Sequence, residues 1–278
     1  MKRLSGFLPL LPLDTKDMAD TASTIKLPAV VAAGAPAEAE WKARYSVAYR
    51  AEVPIAGKMM VQHVIDALNA ASHVGDICVV GNIQCEGASR IVPSAGGFME
   101  NVVVGIEASE AGADGRVLVA AADIPLVTPE AIDDFISRCA ALDADFCYPI
   151  IPKEASEQKF PRMRRTYGRL AEGTFTGGNI VVMNARFPIE NAALIHEVLD
   201  ARKSIFRLAH VIGLRTLVRA VIAQTLCAKA VNLAFLEKTI GRILNAKVKA
   251  VQTSYPEIGA DVDKLEQIAL VETVLGKE

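Results

Sequence analysis

The sequence predicts a three-layer α/β/α fold with a mostly parallel central sheet and a helical insertion. Three observations predict it. Short apolar runs at 28–34, 76–81 and 116–122 each end in a Gly or an Asp, as buried parallel strands do when they enter a turn. Helical patterns follow each run, so strand and helix alternate three times in the first 140 residues. Residues 190–245 then carry helical spacing with little strand signal.

In order, Pro28 to Gly34 reads as the first strand, and residues 35–58 as a polar, irregular connection. A helix follows with Met60, Val64, Ala67, Leu68 and Ala71 on one face, and Gly75 is expected to end it. Asp76 to Gly81 is the second strand. The loop Pro93-Ser94-Ala95-Gly96-Gly97 leads to a helix over 99–108. Arg116 to Ala122 is the third strand and runs into Asp123-Ile124-Pro125. Thr128-Pro129-Glu130 is a helix start: a capping hydroxyl, Pro in the first helical position and an acid in the first turn. Strands are expected at 146–151, 180–183 and 248–251. The chain closes on a helix carrying Leu265, Ile268, Ala269 and Leu275. The expected organisation is an N-terminal extension, 1–27, and one α/β domain, 28–278, with the insertion at about 190–245.

Composition narrows the function. The 278 residues include 30 Lys and Arg against 32 Asp and Glu, a net charge of −2, which disfavours a general nucleic-acid binder. The five cysteines are scattered without a Cys-x-x-Cys pair, and the four histidines form no ligand spacing, so a zinc site or a disulfide framework is not expected. The apolar run 7–13 imitates a signal peptide but is short, broken by two prolines and lacks a small-residue cleavage site. Met18 is an alternative start. No apolar stretch reaches the ~18 residues of a membrane span. The most apolar candidate, 217–236, reads as one buried amphipathic helix. Reduced thiols and a cytoplasmic location are the expectation, with no membrane partner.

Several residues can carry chemistry. Asp123 sits where a buried strand ends, the place where open α/β sheets bind ligands. A carboxylate there can hold Mg²⁺ against phosphate oxygens, or simply close a turn before Pro125. Asp261 and Asp263 precede the last helix, and Asp263 with Glu266 forms a capping-box pattern, Asp-x-x-Glu. One carboxylate can cap and still face a metal. The small turn Ala32-Ala33-Gly34 can let backbone amides approach phosphates or serve as a plain turn. Arg50 can neutralise charge that builds on a phosphate or lie in solvent. Lys159, Arg162, Arg164, Arg165 and Arg169 can clamp an anionic acceptor or form a solvated loop. Thr176-Gly177-Gly178-Asn179 offers a hydroxyl, two unhindered amides and a carboxamide, suited to a sugar or base, or to a turn. No G-x-G-x-x-G and no Walker lysine motif is present.

Taken together, these segments resemble the nucleotidyltransferases with a GT-A-type α/β fold, specifically the MobA-like NTP transferases. The matching pieces are Ala29 to Gly34, Val53 to Leu68, Val117 to Thr128 centred on Asp123-Ile124-Pro125-Leu126, Thr176 to Asn179, and Asp261-Val262-Asp263. Their order matches over 28–183 and 247–275. The resemblance implies a nucleotide-diphospho-sugar transferase-like sheet. It implies an enzyme that moves a nucleoside monophosphate from an NTP to a phosphorylated small-molecule acceptor, with Mg²⁺ and release of pyrophosphate. It places Asp123 and Asp263 as metal carboxylates and Arg50 where the family usually has a catalytic lysine. Ala32, Ala33 and Gly34 fall at the phosphate loop, Ser94, Ala95, Gly96 and Gly97 at a base-reading loop, and Gly178 and Asn179 near the ribose or acceptor. Arg165 and Gly177 join that acceptor side. The chain departs from the pattern where Ala33 replaces a glycine and where Glu38 and Glu40 follow the loop. Two rival readings stay open: a non-catalytic nucleotide- or sugar-nucleotide-binding module of the same fold, and a glycosyltransferase using Asp261 and Asp263. The base and the acceptor stay open too, a molybdenum-cofactor precursor, a sugar phosphate and a polyol phosphate among them. Residues 190–245 offer a surface on which a second copy could pack.

Overall fold

The computed structural model describes residues 26–112, 115–201, 221–225 and 227–276. Apart from its last two residues, the expected extension 1–27 lies outside them, as do 202–220 of the expected insertion.

The first strand, β1 (Leu27–Ala32), is the middle of the parallel part of the sheet. Its successive side chains alternate between two packing layers. Ala29 and Val31 face the helices α2 (Met60–Ala70) and α4 (Pro129–Ala140), while Val30 faces α3 (Phe98–Ala108). This period of two, with both faces apolar, places the strand between two helical layers. β1 pairs in parallel with β4 (Val74–Val80) and β6 (Arg116–Ala121), and β4 pairs in parallel with the short β5 (Arg90–Val92).

Beyond β6 the sheet turns antiparallel. β10 (Ile180–Asn184) pairs with β6 on one side and with the start of β7 (Phe146–Pro152) on the other. β9 (Gly173–Gly177) continues along the far end of β7 and pairs with β8 (Gly168–Leu170), while β11 (Val248–Gln252) lies parallel to β7. The sheet is therefore mixed, mostly parallel and flanked by helices, as expected. β2 (Pro54–Ile55) and β3 (Lys58–Met59) form a separate two-stranded ribbon.

Several expectations change. The connection 35–58 is not irregular throughout: it contains α1 (Ala39–Tyr45) and a 3₁₀ turn at Arg50–Glu52. Gly75 does not end α2. The helix stops at Ala70 because the Asp133 carboxylate of α4 accepts the Ser72 and His73 amides, both at 2.9 Å, and Gly75 is already inside β4. Residues 153–159 form α5 (Lys153–Lys159), which ends on the first cation of the basic segment. α6 (Arg186–Glu190) and α7 (Ala192–Ala201) follow β10. The single buried helix over 217–236 is not formed. Val221 and Ile222 are exposed, a 3₁₀ turn occupies Ala228–Ala230, and Asn232 accepts from the Phe235 amide to start α8 (Leu233–Leu244). Among the described residues no helix is long and apolar enough to cross a membrane.

The last helix, α9 (Leu265–Leu275), packs with α1 in a second core. There Trp41, Leu126, Val262, Ile268 and Val271 meet. That cluster fastens the C-terminal segment to the carboxyl edge of the parallel strands.

Candidate active site

The loops that leave β1, β4 and β6 lie at one edge of the sheet. After β6, the Val262 amide donates to the Asp123 carbonyl at 2.8 Å, so the segment 261–263 runs across the end of that strand. Val262 is fully buried in the Trp41 cluster, which holds the crossing in place. Asp123 and Asp263, far apart in sequence, thereby become electrostatic neighbours.

Asp123 is nearly buried. Burial pushes its carboxyl above the usual range, and the Asp263 charge adds to that, while Arg50 and hydrogen bonds from its own amide and the Asn179 side chain oppose it. Its Oδ1 is buried and has no hydrogen-bond partner. An orphaned carboxylate oxygen is costly unless something cationic meets it.

Asp263 faces Arg50: the guanidinium Nη2 donates to Asp263 Oδ1 at 2.7 Å and to the Val262 carbonyl at 2.6 Å. Its Nη1 lies 3.6 Å from Glu38 Oε1, and the guanidinium carbon stands 5.5 Å from the centre of the Trp41 ring. The expected capping box at Asp263 and Glu266 does not form. Instead Gln267 Oε1 accepts both the Asp263 and Lys264 amides at 2.7 Å. The glutamine closes the start of α9 and leaves the Asp263 carboxylate for Arg50.

Of the five expected cations only Arg165 turns toward this edge. It ion-pairs with Asp261 and donates to the Gly177 carbonyl at 3.1 Å. Burial lowers its pKa, against the nearby Tyr167, Asp263, Tyr148 and Asp123. Lys159 pairs with Glu257, Arg169 binds the Gln224 carbonyl, and Arg162 and Arg164 are exposed. The basic segment is thus not a five-cation clamp. Asp261 is engaged by Arg165, so Asp261 and Asp263 do not present a free Asp-x-Asp pair.

The Gly177-Gly178-Asn179 bend joins three elements. The Gly178 amide donates to Pro149, the Asn179 amide to Ile258, and the Ala121 amide to Asn179. A Cβ on Gly178 would lie 2.6 Å from Ile258 Cγ2 and 2.8 Å from Pro149 Cγ, so only glycine fits the approach. The bend delivers the Asn179 carboxamide to Asp123.

The other loops also meet. Ala32 ends β1, and the Ala33 amide donates to Val80 at 2.8 Å. A Cβ on Gly34 would lie 2.5 Å from Ser94 Oγ and 2.6 Å from Asn101 Nδ2, so loop 33–34 and loop 94–97 press together. Asn101 organises the second loop: its Oδ1 accepts from Ser94 Oγ at 3.0 Å and from the Ala95 amide at 2.7 Å. The Gly96 amide donates to Ser94 Oγ, and Gly97 is the residue before α3. Asn82 bridges outward, accepting from the Ser94 amide and donating to the Tyr49 hydroxyl at 2.8 Å.

Sequence reasoning missed Trp41, Tyr49, Asn82, Asn101 and Gln267. Asn101 alone left a signal: it is a polar residue on the apolar stripe of a helix, 3% exposed, one turn after a Gly-Gly loop. The described residues gather no group of three or more His, Cys, Asp or Glu side chains able to hold a metal.

Paired loops of small residues lie beside a carboxylate at the end of a parallel strand, where open α/β sheets bind ligands. Residues 29–223 match the family described as the MobA-like NTP transferase domain, and the chain belongs to that family. Among solved structures, a hypothetical transferase from Thermus thermophilus is 36% identical, with a TM-score of 0.77 over 88% of this chain and all of that one. A CMP:2-keto-3-deoxy-manno-octonic acid synthetase complexed with CTP aligns over 91% of this chain and 99% of its own, with a TM-score of 0.53 at 12% identity. A 4-diphosphocytidyl-2C-methyl-D-erythritol synthase from Anaerococcus prevotii covers 91% and 97%, with a TM-score of 0.50 at 10% identity. The last two share the fold alone. Comparison with curated proteins gives no match.

Proposed function

We propose that this member of the nucleotidyltransferase family transfers a nucleoside monophosphate from an NTP to a phosphorylated small-molecule acceptor. An acceptor phosphate oxygen attacks the α-phosphorus in line. The bond from that phosphorus to the bridging oxygen breaks, and pyrophosphate leaves with the electron pair. The single observation that carries the reading is the meeting of Asp123, Asp263 and Arg50 beside the paired loops 33–34 and 94–97.

The residues fit a divalent cation. Asp123 keeps a buried oxygen without a partner, and Mg²⁺ favours one or two carboxylates completed by phosphates and water. Asp123 and Asp263 would hold it, and it would supply charge neutralisation at the α-phosphate and the leaving group. The chain's own groups do the rest. Asn179 orients Asp123, Arg50 reaches toward the triphosphate, and Arg165 offers charge to the acceptor phosphate. The loops 33–34 and 94–97 line the nucleotide side. Catalysis on this reading is positioning and electrostatics.

A second reading, a non-catalytic nucleotide- or sugar-nucleotide-binding module, is favoured by one observation: Arg50 is already neutralised by Asp263 and Glu38. The test is pyrophosphate release with each of ATP, CTP, GTP and UTP, Mg²⁺ and a panel of phosphorylated acceptors. Turnover that vanishes without Mg²⁺ supports transfer. Nucleotide binding with no turnover across the panel supports the module.

A further inference from the structure

Next to Asp123 the described residues line an open pocket of about 420 Å³. This lies within the ~300–1,000 Å³ of small-molecule sites. It lies on the α3 side of the sheet, beneath α6 and α7. Its floor is Val119, Ala121, Val181 and Met183, from β6 and β10. Apart from the Tyr148 hydroxyl, its polar side chains are Asp123 and Asn179, the pair at the site just described. Phe98 lines it as well and is 58% exposed, although the next residue of α3, Met99, is buried. The Phe98 ring thus stands at the rim, where it can extend the apolar wall over a ligand.

We propose that the acceptor is a monophosphate ester of a hydrocarbon, with its phosphate at the Asp123 end and its apolar body in this cavity. The proposal rests on the nucleotidyl-transfer reading and names the acceptor class for it. The chemistry of the walls selects it. A polyol, a sugar or a polar heterocycle would bury several hydroxyls or ring nitrogens against Val, Met and Phe with no partner, and each unmet group is costly. A hydrocarbon gains with every methylene it buries. At the other end Arg165, an electrostatic neighbour of Asp123 paired with Asp261, would exchange that carboxylate for the phosphate dianion.

The experiment is calorimetric titration of the chain with butyl, octyl and dodecyl phosphate below their micellar concentrations, with Mg²⁺ present and glycerol 3-phosphate as the polar control. Affinity is expected to rise by up to about fourfold per methylene until the cavity is full. Val181→Phe, which narrows the floor, is expected to stop that rise at a shorter chain. If Val181→Phe fails to fold, Phe98→Ser at the exposed start of α3 serves instead, with dodecyl phosphate weakened by about three- to tenfold. Affinity independent of chain length, a rise unaltered in the variant that folds, or tighter binding of glycerol 3-phosphate would overturn the proposal. NTP binding and pyrophosphate release are measured on the same preparation. Their loss alone would sink nucleotidyl transfer while leaving the chain-length series standing, so the two failures are distinguishable.

Discussion

The two sides of the site are built from different forces. On one side, loop 94–97 is held by neutral hydrogen bonds that radiate from Asn101 and Asn82, and loop 33–34 packs against it at Gly34. On the other side, Asp123, Asp263, Arg50, Glu38, Arg165 and Asp261 hold one another by charge. The neutral side is complete as it stands. The charged side leaves Asp123 Oδ1 and Arg50 Nε unmet while both arginines are paired with carboxylates, so a ligand there must redistribute existing pairs. Preorganisation therefore belongs to the first side, and responsiveness to the second.

The sharpest way to break this comparison is Asp123→Asn. Pyrophosphate release is expected to fall by about a hundredfold or more, measured with saturating NTP and Mg²⁺. Stability should move the opposite way. A carboxyl whose folded-state pKa is raised opposes folding above its unfolded pKa, so removing the charge should raise Tm at pH 7. A lower Tm would mean that Asp123 is held by contacts stronger than those described.

Arg50→Ala comes next. It frees Asp263 and removes the cation from Trp41, and turnover is expected to drop by roughly tenfold to a hundredfold, with partial recovery in Arg50→Lys. Wild-type turnover in Arg50→Ala would remove the arginine from the reaction.

The neutral side should answer in stability. Asn101→Ala strips the acceptor from Ser94 Oγ and the Ala95 amide and is expected to cost ~1–3 kcal/mol in urea unfolding. That loss should hardly change between low and high salt, because no charge is involved. A strong salt dependence would blur the contrast between the two sides. Gln267→Ala, which uncovers the Asp263 and Lys264 amides at the start of α9, is expected to cost ~0.5–2 kcal/mol.

The smallest effect concerns Asp133, remote from both sides. Burial pushes its carboxyl up, but the Ser72 and His73 amides and the His73 ring outweigh this and hold it below the ordinary value. A depressed carboxylate gives stability that is present above its unfolded pKa, near 3.8, and is lost as pH falls through the lower folded value. Asp133→Asn should flatten that acid limb of the Tm–pH curve.

How much of this could be read in advance differs with the physics. The parallel core was legible because runs such as Ala29 to Ala33 are apolar on both faces and end in a turn signal, as a strand between two layers requires. Thr128-Pro129 announced α4 by local chemistry, and the Thr128 hydroxyl does accept from the Ala131 amide. What escaped were features fixed at long range. Gly75 looked like a stop, but the actual stop for α2 is a carboxylate 60 positions away. The five cations from 159 to 169 looked like one patch, and their separate partners Glu257, Asp261 and Gln224 lie far along the chain. At Asp263 the local capping pattern was plausible, and Gln267 took that task instead. Asp123 stood out by its place after a buried strand, whereas Asn82 and Tyr49 carry no local pattern.

Trp41, packed beneath the Arg50 guanidinium, is the chain's lone indole. Emission excited at the red edge, where the tyrosines do not absorb, therefore originates next to the cation that pairs with Asp263. The molecule carries its own optical gauge, and a titration followed at that single wavelength would register the arginine's departure without any label.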